Sequence, residues 1–233
     1  MSKTPVLMLF LMLVTLHVLA QPRVQDTVRR HRDFKKYIPT GIRIGTDIVS
    51  IIKDQRQENF SGWEMNADVD LDRFLLAVEY GSWGRDFSSD SASYHNNGSY
   101  WRAGIDVNFL TGDPERNVFF IGARYARSTY DESMSLQVED PVYGFFERDY
   151  SNSDVSTRWF ELTAGLKVRI WKIIWVGYTG RFKFGLKDSD NEMLSHDVPG
   201  YGLAGKESYW GFNYQVMLRI PVRKQPPVQV KKK

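Results

Sequence analysis

Serine, histidine and aspartate lie close together twice in this chain, and such residues can hydrolyse an ester or a peptide when the histidine takes the serine proton. Ser93 lies two residues before His95, and Ser195 and Asp197 flank His196. The members of a hydrolytic site usually come from separate segments, whereas segments rich in Ser and Asp produce such neighbours by chance. The pattern therefore favours polar loops, and a hydrolase stays open as an alternative.

Other residue types that bind metals or phosphates do not have the spacing of a known site. The histidines, which include His31, are scattered, and the chain has no cysteine. The acidic segment 188–192 lacks the glycine and the final glutamate of an EF-hand loop, and the glycines of 200–205 lack the strand-to-helix context of a phosphate loop. We therefore predict no metal and no cofactor.

Charged residues at alternate positions of otherwise apolar segments form the largest candidate site. A β-strand sends successive side chains to opposite faces, so each segment collects its charges on one face. Such charges either pair with one another and fill the interior of a barrel, or line a gated path for ions. The predicted network consists of Glu64, Asp68, Asp70, Glu79, Arg102, Asp106, Arg124, Glu161, Lys167, Arg169, Arg181, Lys183 and Arg219.

Eight segments with this alternation must position the charges. In 160–170, for example, Leu162 and Leu166 share one face while Glu161 and Lys167 share the other. An apolar face on every strand is compatible with either a soluble sheet that has an apolar core or a barrel that spans a lipid bilayer. The predicted strands are 41–51, 63–71, 74–83, 101–109, 118–127, 160–170, 175–187 and 210–220.

The connections between these strands alternate in length. Residues 72–73, 110–116 and 171–173 make tight turns, whereas 53–62, 84–98, about 129–155 and 188–207 are long and polar. Short turns at one rim and long loops at the other are typical of outer-membrane barrels. The sequence therefore predicts an all-β, eight-stranded, antiparallel, up-and-down transmembrane barrel over residues 39–221, with a soluble barrel or sandwich as the alternative.

The two ends of the chain predict export. Residues 1–20 have Lys3, an apolar run and a small residue at Ala20, as in a cleaved secretory signal. Residues 21–38 and 222–233 are basic, and we expect both to lie in the periplasm of a Gram-negative bacterium. The formal charge of +3 is small and is not gathered into one stripe, so nucleic acid is not an expected partner.

With these strands and connections, residues 37–221 resemble the small eight-stranded outer-membrane barrels of the OmpA and OmpX type, and the outer membrane protein beta-barrel family in particular. The resemblance implies an outer-membrane location and a narrow barrel. The chain departs from the usual pattern of these barrels, because the last strand is followed by a basic tail from Val222 to Lys233. The expected partners are outer-membrane lipid and lipopolysaccharide.

An apolar patch interrupts the longest polar connection. Tyr143, Phe145 and Phe146 lie in 141–150, where solvent should meet polar residues. Exposed apolar patches mark interaction sites. These three residues are therefore the predicted binding site for an envelope partner or lipopolysaccharide, with a cap on the barrel mouth as the alternative. We expect a structural or interaction component of the envelope rather than an enzyme, with a lipid A or protein hydrolase and a narrow gated channel as alternatives.

Overall fold

A computed structural model of the chain describes residues 38–142, 144–187 and 195–223. Eight long strands form a closed barrel in the order β1-β10-β7-β6-β5-β4-β3-β2. All neighbours are antiparallel, and the ring closes because β1 pairs with both β2 and β10. The long strands are β1 (Gly41–Asp47), β2 (Phe60–Leu71), β3 (Phe74–Ser88), β4 (Ala92–Asn108), β5 (Val118–Asp140), β6 (Gly144–Trp171), β7 (Ile174–Lys187) and β10 (Ser208–Pro221). The predicted eight-stranded, antiparallel, up-and-down barrel is confirmed.

The two ends of the barrel differ in their connections. At one end, which we call the turn rim, β2–β3, β4–β5 and β6–β7 are joined by short segments, and Asp72 adopts a left-handed φ of 59° in the first of them. At the other end, which we call the hairpin rim, a short pair of strands, β8 (Asp197–Val198) and β9 (Gly202–Leu203), lies between β7 and β10.

The predicted first strand, 41–51, is wrong in its second half. The chain leaves the sheet after Asp47 and forms helix α1 (Ile48–Arg56). The Asp47 carboxylate accepts hydrogen bonds from the backbone N–H of Ser50 at 3.1 Å and from the Ser50 hydroxyl at 2.7 Å. These bonds cap the first turn of a helix, and a strand cannot make them. The helix therefore begins where the apolar alternation still continues in the sequence.

The predicted long loops at 84–98 and at about 129–155 are also wrong. Strands β3 and β4 continue to a connection at 89–91, and β5 and β6 continue to one at 141–143. A β-ladder needs only paired backbone groups, so it persists after the apolar alternation of the side chains has ended. The hairpin rim therefore carries two projecting hairpins, of which β5–β6 is the longer.

Candidate functional site

Five charged side chains form a cluster across the middle of the barrel, which we call the ionic layer. Arg102 contacts three carboxylates: Nη1 lies 2.7 Å from Oε2 of Glu64 and 3.1 Å from Oε2 of Glu79, and Nε lies 3.0 Å from Oε1 of Glu161. Arg181 bridges two of the same carboxylates, at 2.8 Å from Glu79 and 2.9 Å from Glu161. All five side chains are buried. The layer therefore ties strands from opposite sides of the barrel together through charge-assisted hydrogen bonds.

Further ion pairs continue the network toward the turn rim. Arg124 makes a bidentate contact with Asp106, at 2.7 and 2.8 Å. Asp68 accepts from Lys167 at 2.6 Å and pairs with Arg43 at 2.7 Å. A cavity of about 10 Å³, room for about one water molecule, lies beside Asp68 and Arg124. Side chains therefore fill this part of the lumen.

The structure brings the thirteen predicted network residues to the inner face of the barrel or to the turn rim. Ten of them are buried, and Asp70, Arg169 and Arg219 are half-buried at the turn rim. The predicted network lacks Arg43, although this residue shares the charged face of its strand. It also lacks neutral partners, because their side chains carry no charge pattern. Among these partners, Tyr100 and Asn213 donate hydrogen bonds to Glu64, and Trp159 donates one to Glu161.

Residues 195–205, which we call the mouth loop, lie inside the hairpin rim. The Gly200 carbonyl accepts hydrogen bonds from Arg102 at 2.9 Å and from Lys183 at 2.7 Å, so the loop rests directly on the ionic layer. Tyr201 packs against Trp159 with ring centroids 5.6 Å apart. Gly200 has a φ of +82°, and an added Cβ would lie 2.5 Å from the Tyr100 ring. The loop was predicted to be long and polar, and its inward fold carried no sequence signal.

A second buried polar cluster lies beside the mouth loop. Glu132 accepts hydrogen bonds from Tyr94, Asn152 and Ser195, each at 3.0 Å. Tyr130 in turn donates to the Ser195 hydroxyl at 2.7 Å. Burial, and then the Glu132 charge, raise the pKa of the Tyr94 phenol. The Ser195 hydroxyl is therefore engaged in holding the loop in place.

The residues that suggested a hydrolase are separated. The His196 ring packs edge-on against Tyr94, with centroids 5.3 Å apart, and the Asp197 carboxylate pairs with Arg85 at 3.1 Å. His95 contacts Asp86 rather than Ser93, and both partners of that pair are exposed. No hydrogen bond from either histidine to a serine is found in the part of the chain that the structure describes. His31 lies outside that part.

Aromatic rings circle the outside of the barrel below the hairpin rim. Their centroids lie 4.9–6.3 Å apart in the cross-strand pairs that are in contact. Exposed charges begin again directly above this row, at Arg127, Arg158 and Lys187. The row consists of Trp63, Tyr80, Trp101, Tyr125, Phe160, Phe182, Phe184 and Trp210. A second group near the turn rim consists of Phe74, Phe109, Phe119 and Trp171.

An apolar band separates the two aromatic groups. Trp101 and Phe109 are eight residues apart on or next to β4, which corresponds to about 26 Å along a strand and roughly 20 Å along the axis of a tilted barrel. Between the two groups, the outward positions of the eight described strands hold no Asp, Glu, Lys or Arg. Large apolar side chains there are exposed, as Val78, Ile105 and Leu162 are. Water would meet this whole band in a soluble monomer.

The end of the β5–β6 hairpin is apolar and projects from the hairpin rim. Val142 is 80% exposed, Phe145 70% and Phe146 39%. The strands run 13 residues from Arg127 to Asp140, which corresponds to about 40 Å of strand length beyond the aromatic row. Of the three residues predicted as a binding site, Phe145 and Phe146 are accessible here, and Tyr143 lies outside the described residues. The mouth loop, not this hairpin end, occupies the barrel mouth.

The described residues contain neither a metal-binding cluster nor a membrane-spanning helix. No group of three or more His, Cys, Asp or Glu within ranges 38–142, 144–187 and 195–223 could hold a metal ion. No helix in those ranges is long and apolar enough to cross a bilayer. The acidic segment 188–192 lies outside them.

Comparison with known proteins gives a family and a distant structural likeness. Among solved structures, the chain is similar to that titled "Crystal structure of Neisserial surface protein A (NspA)", at 10% identity and a TM-score of 0.36, over 78% of this chain and 96% of that one. No curated protein matches the sequence. The sequence model of one family, described as "Domain of unknown function (DUF6048)", matches residues 1–225. The protein therefore belongs to the family with the description Domain of unknown function (DUF6048).

Proposed function

We propose that this protein is an outer-membrane β-barrel that acts as a structural or interaction component of the cell envelope. The observation that carries the proposal is the uncharged apolar band between two aromatic groups, with the charges buried inside. A charge at the lipid face of a barrel costs about 2 to 4 kcal/mol at the midplane, so the placement of charges favours lipid outside and not a soluble barrel turned inside out. Aromatic rings at both edges of the band suit the two membrane interfaces.

The interior supports a non-conducting role over a channel. The ionic layer crosses the lumen, and the mouth loop lies on it through the Gly200 carbonyl. An eight-stranded barrel encloses only enough room for side chains to fill. We therefore expect planar-bilayer recordings to show no steady conductance, whereas a stable open channel would favour the alternative of a gated ion path past Arg181 and Asp68.

The projecting hairpin supports an interaction role. Phe145 and Phe146 lie well above the upper aromatic row, and burial of each ring by a partner would return roughly 1.5 to 3 kcal/mol. The polar sugar surface of lipopolysaccharide offers little apolar area there, so the exposed rings favour a partner protein. The binding site is thus proposed to be Phe145 and Phe146, together with Tyr143.

Crosslinking in intact cells tests this role. A photoreactive residue at position 145 should capture a partner protein, while the same residue at position 87 serves as a matched control, because Phe87 is 57% exposed on the shorter β3–β4 hairpin. Replacement of Tyr143 and Phe146 by Ser in the protein that carries the photoreactive residue at position 145 should abolish the capture and leave the barrel folded. Capture of lipopolysaccharide alone, or of the protein's own barrel, would reject a protein partner.

A further inference from the structure

A basic pocket of about 320 Å³ lies at the turn rim, opposite the projecting hairpins. The β4–β5 turn contributes Arg116, the end of β6 and the following turn contribute Arg169 and Lys172, and Arg219 comes from β10. Trp175 of β7 forms part of the wall. The volume is at the lower end of the range for small-ligand pockets.

The described residues of the lining include four cations and no carboxylate. Two carboxylates lie near by: Glu115 pairs with Arg169, and Asp70 accepts from Arg219 at 3.0 Å. Asp70 is also paired with Arg43, so its charge is divided between two guanidinium groups. Among the described residues that line the pocket or pair with its cations, positive charge therefore exceeds negative charge.

Arg116 shows the effect of this excess. The Arg116 backbone has a left-handed φ of 62° at the edge of the pocket, and this conformation is uncommon for residues other than glycine and asparagine. Burial, and then the charges of Arg219 and Arg169, lower the pKa of Arg116. Like charges that line one pocket favour the binding of an anion between them.

Trp175 supplies an independent observation. Its side chain is only 2% exposed, and its indole N–H has no hydrogen-bond acceptor among the described residues. The ring face is already occupied, since the Arg43 guanidinium lies 5.1 Å from its centroid. A buried donor without an acceptor costs free energy unless a ligand or water supplies one.

We propose that this pocket binds a phosphate group. A phosphate ester has three or four oxygens and up to two negative charges, so it can accept from Arg116, Lys172 and the Trp175 N–H together, whereas a carboxylate has two oxygens and one charge. The room beyond the phosphate suits the short polar group of a phosphate ester. A phospholipid headgroup at the inner surface of the membrane and a soluble phosphate ester share this chemistry.

The experiment uses the full chain in detergent micelles with glycerol phosphate as the probe and acetate as the comparison. Isothermal calorimetry should show glycerol phosphate binding that weakens about tenfold when one charged contact is removed in Arg116→Gln or Lys172→Gln. Arg127→Gln and Lys187→Gln are matched controls, because they remove the same charges from exposed positions at the hairpin rim, and their affinity should be unchanged.

The indole N–H signal of Trp175 in NMR spectra of protein with ¹⁵N-labelled tryptophan gives a direct readout, and Trp175→Phe identifies it. The signal should shift when glycerol phosphate is added to the unaltered protein. Binding of short-chain phosphatidylglycerol added to the same micelles, with the same dependence on Arg116 and Lys172 but without binding of glycerol phosphate, would support the lipid headgroup as the source. No shift and no binding of either probe, or acetate binding as strong as that of glycerol phosphate, would overturn the proposal.

Discussion

The middle of the barrel and its hairpin rim are both filled with buried polar groups, but they are built differently. In the ionic layer every charge comes from a strand whose alternation already separates charged from apolar positions. At the hairpin rim the filling comes from the mouth loop, which is held by the Gly200 carbonyl, the Ser195 hydroxyl and a cluster around Glu132. Strand geometry therefore determines the first region, whereas the second depends on the contacts that a loop makes when the chain folds.

The largest expected effect comes from breaking the ionic layer. Arg181→Ala leaves Glu79 and Glu161 buried with one fewer partner each, and we expect the free energy of unfolding to fall by about 3 to 5 kcal/mol. Urea unfolding in detergent, followed by the change in gel migration on heating, measures it. Arg127→Ala removes the same side chain from an exposed position and should change stability by less than about 0.5 kcal/mol. Equal effects of the two substitutions would mean that the layer is not a connected unit.

A smaller effect is expected at the mouth loop. Gly200→Ala forces a side chain into a left-handed conformation and against the Tyr100 ring, which should cost about 1 to 3 kcal/mol and release the loop while the strands stay folded. Hydrogen exchange at the amides of Val198 and Tyr201 should then become faster than exchange in β4.

Gly205→Ala is the control for this change. An added Cβ at Gly205 meets nothing within 4 Å, and this glycine has no left-handed φ. Exchange in the loop should stay at the level of the unaltered protein. Faster exchange throughout the barrel in Gly200→Ala would show that the mouth loop and the strands unfold together and are not independent regions.

The stability of the docked mouth loop should depend on pH. Burial raises the pKa of Asp197, and the attraction of Arg85 only partly opposes this rise. A carboxyl group whose pKa is higher in the docked loop than in the free chain binds a proton more readily when docked. The docked loop should therefore gain stability as pH falls through the raised pKa toward the ordinary value of about 4.

Fluorotyrosine at position 201, observed by fluorine NMR, reports the docked and released populations. The docked fraction should rise as pH is lowered from neutral, and Asp197→Asn should remove most of this dependence. A docked fraction that falls at lower pH would contradict the assignment of Asp197 as the titrating group.

The smallest effect on stability is expected at the β5–β6 hairpin. Phe145→Ser with Phe146→Ser removes side chains that are exposed in the free protein, so the free energy of unfolding should change by less than about 0.5 kcal/mol. The same urea titration measures it. A large loss would mean that these rings pack within the protein and are not available to a partner.

The sequence predicted those parts of the fold that follow from side-chain alternation. Leu166 and Lys167 show why: neighbours on a strand must face opposite sides, so the charged face, the strand count and the barrel follow together. Alternation did not reveal the end of β1, because Ile48 continues the apolar pattern while the Asp47 side chain caps a helix.

The hairpin rim escaped prediction for a related reason. Strands β5 and β6 continue past Arg127 and Arg158 through backbone pairing, which leaves no trace in side-chain polarity. The contact of Arg102 with the Gly200 carbonyl joins residues 98 positions apart through a backbone acceptor. Because every residue has a backbone carbonyl, no residue type in the sequence indicates this contact. The pairing of charges could be anticipated as a set, but the choice of partner for each arginine required the structure.

Quenching of tryptophan fluorescence by brominated lipids shows whether the apolar face of the strands contacts lipid while the charged face lines a filled interior. Variants that retain only Trp101, on the outer surface, or only Trp159, which is fully buried inside, are reconstituted into liposomes. Quenching should be strong for Trp101 and weak for Trp159. Equal quenching of the two, stronger quenching of Trp159, or a protein that stays soluble and monomeric without lipid or detergent would show that the apolar face does not contact lipid.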